Sequence, residues 1–126
     1  AMSAATMTLS LFLDKPEMQK NSANKFFDSL ASAKPIIINY GGWMHDLIKE
    51  HKCGLAMWKV PHSEIAKELN NKVYDEDWLA SASLSSAKLA EEFFDRDVLA
   101  AQLIELLEST VDGNASKAES IAPGMY

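Results

Sequence analysis

Pro35-Ile36-Ile37-Ile38-Asn39, followed at once by Tyr40-Gly41-Gly42, constrains this chain more than any other stretch. Three β-branched residues in a row show no apolar/polar alternation, so a strand here has no face to offer to water. Such a strand belongs inside a parallel sheet with helices on both sides. Its flanks agree: a proline opens it and a glycine pair supplies the turn that follows.

The neighbouring stretches supply the rest of an α/β pattern. Thr8–Leu13 (TLSLFL) alternates and predicts a first strand, stopped by Asp14-Lys15-Pro16. From Ser22 to Ser32 the period changes: Ala23, Phe26, Phe27, Leu30 and Ala31 form one helical stripe, with Asn21 or Ser22 as the N-cap. A second helix is expected over Trp43–His51, with Trp43, Leu47 and Ile48 on one side. Gly54 ends that unit and Leu55–Trp58 makes a third strand. Pro61 opens a helix to Val73 with Ile65, Ala66 and Leu69 facing inward. Asp75 or Asp77 caps a longer helix to Phe93, and Asp95 caps a last one through Glu108. The order β-α-β-α-β-α-α-α predicts a parallel sheet with right-handed crossovers. The expected boundaries are a scar or disordered start over 1–7, one domain over 8–110, and a flexible tail over 111–126.

Composition narrows the function. A chain of 126 residues with 48% apolar and 24% charged residues suits one globular domain. A net charge of −6 argues against nucleic acid and against a polybasic membrane anchor. The single cysteine, Cys53, allows no intrachain disulfide and fits the cytoplasm. Beside Gly54 it reads as a small buried residue rather than a nucleophile. No apolar run approaches the roughly 20 residues that span a bilayer. His45, His51 and His62 lack metal-ligand spacing, and no catalytic triad context is present.

Ligands of open parallel sheets bind at the carboxyl ends of the strands. Two loops belong there. One carries Lys20, Asn21, Ser22, Asn24 and Lys25 into a helix start, where free N–H groups and the positive dipole end favour a phosphate. The other carries Asn39, Tyr40, Gly41 and Gly42, and glycine lets backbone approach a ligand closely. Asn24 and Asp28, four apart, share one helix face, which sets Asp28 one turn from the phosphate position, within reach of ribose hydroxyls. Taken residue by residue, Lys25 reads equally well as a solvated side chain, Asp28 as a surface aspartate and the glycine pair as an ordinary turn.

The stretch Asn21–Asn39 with Tyr40-Gly41-Gly42-Trp43 and Asp46-Leu47-Ile48 resembles the family-4 glycosyltransferases. Within them it is most similar to the bacterial polysaccharide and aminosugar-transferase branch. Cys53-Gly54-Leu55, Lys88–Phe93 and Asp95–Leu107 follow the same pattern, so the resemblance runs from about Thr8 to Glu108. It implies the GT-B architecture, two facing Rossmann-like domains, of which this chain is the later part of the donor-binding one. The fold expected is a partial Rossmann-like three-layer unit with a short parallel sheet and several C-terminal helices.

The implied activity is retaining transfer of a sugar from a nucleotide-diphosphate donor to a polysaccharide or lipid-linked acceptor, without a metal or other cofactor. Ser22, Asn24, Lys25, Gly41 and Gly42 would hold the diphosphate and Asp28 the ribose. The family's acidic motif places its first acid at Lys20, which is not acidic, and a common glycine at Ala33. No general base is assigned. The acceptor-binding domain and the Arg and Lys that clamp the diphosphate fall outside this stretch, so a truncated piece is expected, inactive alone, cytoplasmic, its parent compatible with the inner membrane face. The unpaired sheet edge of such a piece predicts a homodimer. The alternative reading is a non-catalytic α/β dimerisation or interaction module; a receiver-like module would need paired acids after its first strand, where Asp14 stands alone.

Overall fold

The computed structural model describes residues 4–13, 15–20 and 23–113, without the side chains of Gln19 and Lys20. The expected N-caps Asn21 and Ser22, residues 1–3 of the 1–7 start and the tail from 114 onward lie outside the described residues. Elements follow in the order β1 (Thr8–Ser10), a 3-10 helix (Pro16–Lys20), α1 (Asn24–Ala31), β2 (Ile36–Ile38), α2 (Trp43–His51), β3 (Gly54–Ala56), α3 (His62–Val73), α4 (Glu76–Phe93) and α5 (Arg96–Val111). The chain divides into two compact units, Ala1–Glu91 and Glu92–Tyr126.

In the first unit, a three-stranded parallel sheet has the order β1-β2-β3, with Leu9, Ile37 and Leu55 in register across it. Ile36, Ile37 and Ile38 are all buried, as a run without alternation demands. Right-handed crossovers between strands laid down in this order put α1 and α2 on one face. The rings of Phe26 in α1 and Trp43 in α2 meet at 5.9 Å, consistent with that placement. Thr8 donates to Ser29 of α1 at 2.8 Å, so the same face of β1 looks toward α1.

The pairing of β1 is shorter than the expected Thr8–Leu13. Beyond Ser10 the carboxamide of Asn39 replaces the backbone ladder: it accepts from the Phe12 N–H at 2.8 Å and donates to the Phe12 carbonyl at 2.9 Å. The chain therefore stays tethered to β2 without strand pairing.

The start of α1 also differs from expectation. Its N-cap is Ala23, which has no side-chain oxygen, so the first turn has no side-chain cap. Phe26 and Leu30 of the expected stripe are fully buried, but Ala31 is exposed. At α2, Met44 joins Ile48 in the core while Trp43 and Leu47 are half-buried. The expected inward face of α3 is not buried: Ile65 and Leu69 are half-buried and Ala66 is exposed. This helix instead lines an open cavity, described below.

α4 carries the stripe Ala82, Ser86 and Leu89, all buried at helical spacing. The polar member of that stripe holds the layer in place. Ser86 Oγ lies 3.1 Å from the carbonyls of Lys34 and Cys53 and 3.0 Å from that of Ala82. One hydroxyl hydrogen is thus shared where the chain enters β2 and β3. Ser86→Ala leaves the Lys34 carbonyl without this partner, and is expected to cost about 1–2 kcal/mol. Urea unfolding is the check: a lower midpoint at unchanged slope is expected. An unchanged midpoint would mean that the hydroxyl contributes nothing to docking α4.

In the second unit, Asp95 caps α5 by accepting from the N–H groups of Asp97 at 2.8 Å and Val98 at 3.2 Å. That cap was legible in the sequence, and α5 runs three residues past the expected end.

Candidate functional site at the carboxyl edge of the sheet

The carboxyl ends of β1 and β2 are where the two helices of the first face begin. α1 starts after Ala23 and α2 after Gly42, and neither has a side-chain cap hydrogen bond. Phe27 and Phe26 both stand against Trp43, at 6.1 and 5.9 Å, so the two helix starts are neighbours. Two uncapped N-termini side by side present N–H groups and positive dipole ends to one region.

Asn24, Lys25 and Asp28 are exposed on α1. Ser22 lies outside the described residues. Gly42 has φ 91°, a left-handed conformation in which glycine is unstrained. Gly41 serves a different neighbour: a Cβ there would lie 2.6 Å from Cε3 of Trp58, so the missing side chain makes room for the indole. Asn39, on the same loop, has its carboxamide committed to Phe12.

Trp58, expected as the last residue of the third strand, stands two residues beyond β3. It brings a second set of groups to this edge. Its Nε1–H is buried without a hydrogen-bond partner among the described residues. The Lys59 ammonium stands 4.5 Å from its ring centre, and the His45 ring meets it edge-on at 5.9 Å. His45 Nδ1 is 3.0 Å from Asp46 Oδ1 in the first turn of α2. No local signal marks this group, because Trp58 reaches Gly41 and His45 across more than ten residues of chain.

Beneath the edge, Tyr40 is buried and donates to Ser10 at 3.2 Å. Burial pushes its phenol pKa up, and the Ser10 hydrogen bond opposes this. Burial likewise pushes the Cys53 thiol up to about 11, which keeps it protonated and unreactive at neutral pH. Among the described residues no three His, Cys, Asp or Glu side chains come together as a metal site.

A cavity of about 450 Å³ lies elsewhere, beside β3. Lys49 of α2 and Lys52 just after it, Glu64 and Glu68 of α3, and Trp78 of α4 are among its walls. None of Asn24, Lys25, Asp28, Gly41 or Gly42 lines it.

These observations define an α/β protein with a short three-stranded parallel sheet. Among the described residues no helix is long and apolar enough to cross a membrane. No family model, curated protein or solved structure matches the chain.

Proposed function

We propose that this chain is the nucleotide-sugar-binding part of a glycosyltransferase and that the diphosphate lies at the carboxyl edge of the sheet. The observation that carries this reading is the pair of adjacent, uncapped helix starts of α1 and α2. The order β-α-β-α-β, parallel and laid down in sequence, supports reading the sheet as one half of a Rossmann-like one. Ala33, where the resembled family carries glycine, has φ 52°, a backbone that glycine favours.

In this reading the N–H groups at Asn24, Lys25 and Gly42 and the Lys25 ammonium hold the diphosphate, and Ser22 and Gly41 complete the set that the resemblance assigns to it. Asp28 accepts from the ribose hydroxyls. The sugar is transferred to a polysaccharide or lipid-linked acceptor with help from the acceptor-binding domain of a longer protein. No metal takes part, because helix dipoles and a lysine carry the charge balance.

Calorimetric titration with UDP and GDP tests this. Saturable binding is expected, weakened about tenfold by Asp28→Ala, the loss of one charge-assisted hydrogen bond. No heat at millimolar nucleotide would sink the donor-site reading. The second reading, a non-catalytic interaction module, is favoured by one observation: Leu9, Leu11 and Leu13 stand 50%, 57% and 71% exposed in a row.

A further inference from the structure

The row of leucines has a geometry that selects its occupant. Thr8 N–H donates to the Pro35 carbonyl and Phe12 N–H to the Asn39 side chain, so residues 8, 10 and 12 turn their backbone groups toward β2. By the alternation of extended chain, Leu9 and Leu11 turn theirs the other way. On that side they have no backbone partner among the described residues. The side chains sort in the same manner. Thr8 bonds to Ser29 and Ser10 accepts from Tyr40, which leaves Leu9, Leu11 and Leu13 on the opposite, uncovered face. No charged residue and no proline lies between Thr6 and Leu13, so the edge lacks the devices that ordinarily block strand addition.

We propose that β1 pairs with β1 of a second copy of this chain, antiparallel about a twofold axis at Ser10. The sequence is self-complementary in that register. Leu9 stands opposite Leu11 of the second copy, and the pair exchanges both N–H···O=C bonds, which requires both residues to point their backbone outward, as they do. The axis repeats the exchange. Met7 then stands opposite Leu13 of the second copy, so every pair on the open face is apolar. A one-residue slip would oppose an outward-facing residue to an inward-facing one and lose the bonds. Pairing ends there, because the Leu13 carbonyl already accepts from Lys15 N–H at 2.8 Å. Two sheets of three strands become one of six, and the leucine rows lie side by side on one face, each in contact with the other.

This dimer needs no nucleotide, and its failure leaves donor binding untouched. Sedimentation of the whole chain from micromolar to near-millimolar concentration is expected to show the mass doubling. Leu11→Lys, at a half-exposed position, is expected to weaken association by about tenfold or more with an unchanged circular dichroism spectrum. The register is read by mixing two single variants, Leu9→Cys and Leu11→Cys, under mild oxidation. The mixture is expected to form the cross-linked dimer well above either variant alone, since only positions 9 and 11 face each other. A monomer at every concentration, or equal cross-linking by each variant alone, overturns the proposal.

Discussion

Gly54→Ala is expected to remove most of the stability of the first unit, about 4 kcal/mol or more. The cause is a backbone neighbour and not the glycine's own torsions, since φ at Gly54 is not positive. A Cβ at this position would fall far inside van der Waals contact with the Ile36 carbonyl oxygen, and 2.8 Å from the carbonyl carbon. Ile36 cannot step aside, because it is fully buried and its N–H donates to the Cys53 carbonyl at 3.2 Å. Relief therefore requires β2 and β3 to part. Small domains hold only about 5–15 kcal/mol in total, so loss of the cooperative urea transition or insoluble expression is expected. Gly113→Ala is the control. It has φ 71° but nothing within 4 Å of the added carbon, so it costs only the torsional strain, about 1 kcal/mol. If Gly54→Ala unfolds at the wild-type midpoint, the close approach of β2 and β3 is wrong.

Phe26→Ala is expected to cost about 3–5 kcal/mol, the usual range for emptying a phenyl-sized space in a packed core. Phe26 is fully buried and its ring meets Phe27 at 5.5 Å and Trp43 at 5.9 Å. Its loss has a second effect that a core residue elsewhere would not have. The Phe26–Trp43 contact sets the start of α1 beside the start of α2, so tryptophan emission and nucleotide affinity are expected to change together. Phe26→Leu keeps most of the volume and is expected to recover all but about 1.5 kcal/mol. A stable Phe26→Ala protein with wild-type emission would show that the two helix starts do not depend on this ring.

Much of the fold was legible in short stretches. The Ile36–Ile38 run predicts a strand covered on both faces, and its three residues are buried. The bounds expected for α2, Trp43 to His51, are those observed, because a glycine before and basic residues in the last turn mark both ends locally. Asp95 is a cap in sequence and in structure for the same reason: its acceptor and the N–H groups it serves are within three residues.

The failures share a different cause. The inward face expected for α3 rested on periodicity alone, and periodicity gives a stripe without saying what stands opposite it. Here the helix borders a cavity and has no buried residue. The expected cap at Asn21 or Ser22 gave way to Ala23, since the chain enters α1 from a 3-10 helix that no local pattern announced. Of the candidate donor residues, Asn24, Lys25 and Asp28 were placed on one exposed helix turn by their spacing. The neighbourhood of Trp58, Lys59 and His45 beside Gly41 was invisible, because it needs three elements folded together.

The sequence by itself determined the alternation of elements and the burial of the central strand, since these follow from periodicities of two and 3.6 and from local caps. Only the tertiary structure decided which small or polar residues are indispensable. Gly54 is fixed by a carbonyl eighteen residues upstream. Ser86 is fixed by carbonyls up to 52 residues away. Leu9 and Leu11 are left bare because the helices pack on the face of β1 that carries Thr8 and Ser10. In each case the deciding partner is distant along the chain, and side-chain chemistry does not encode a distance.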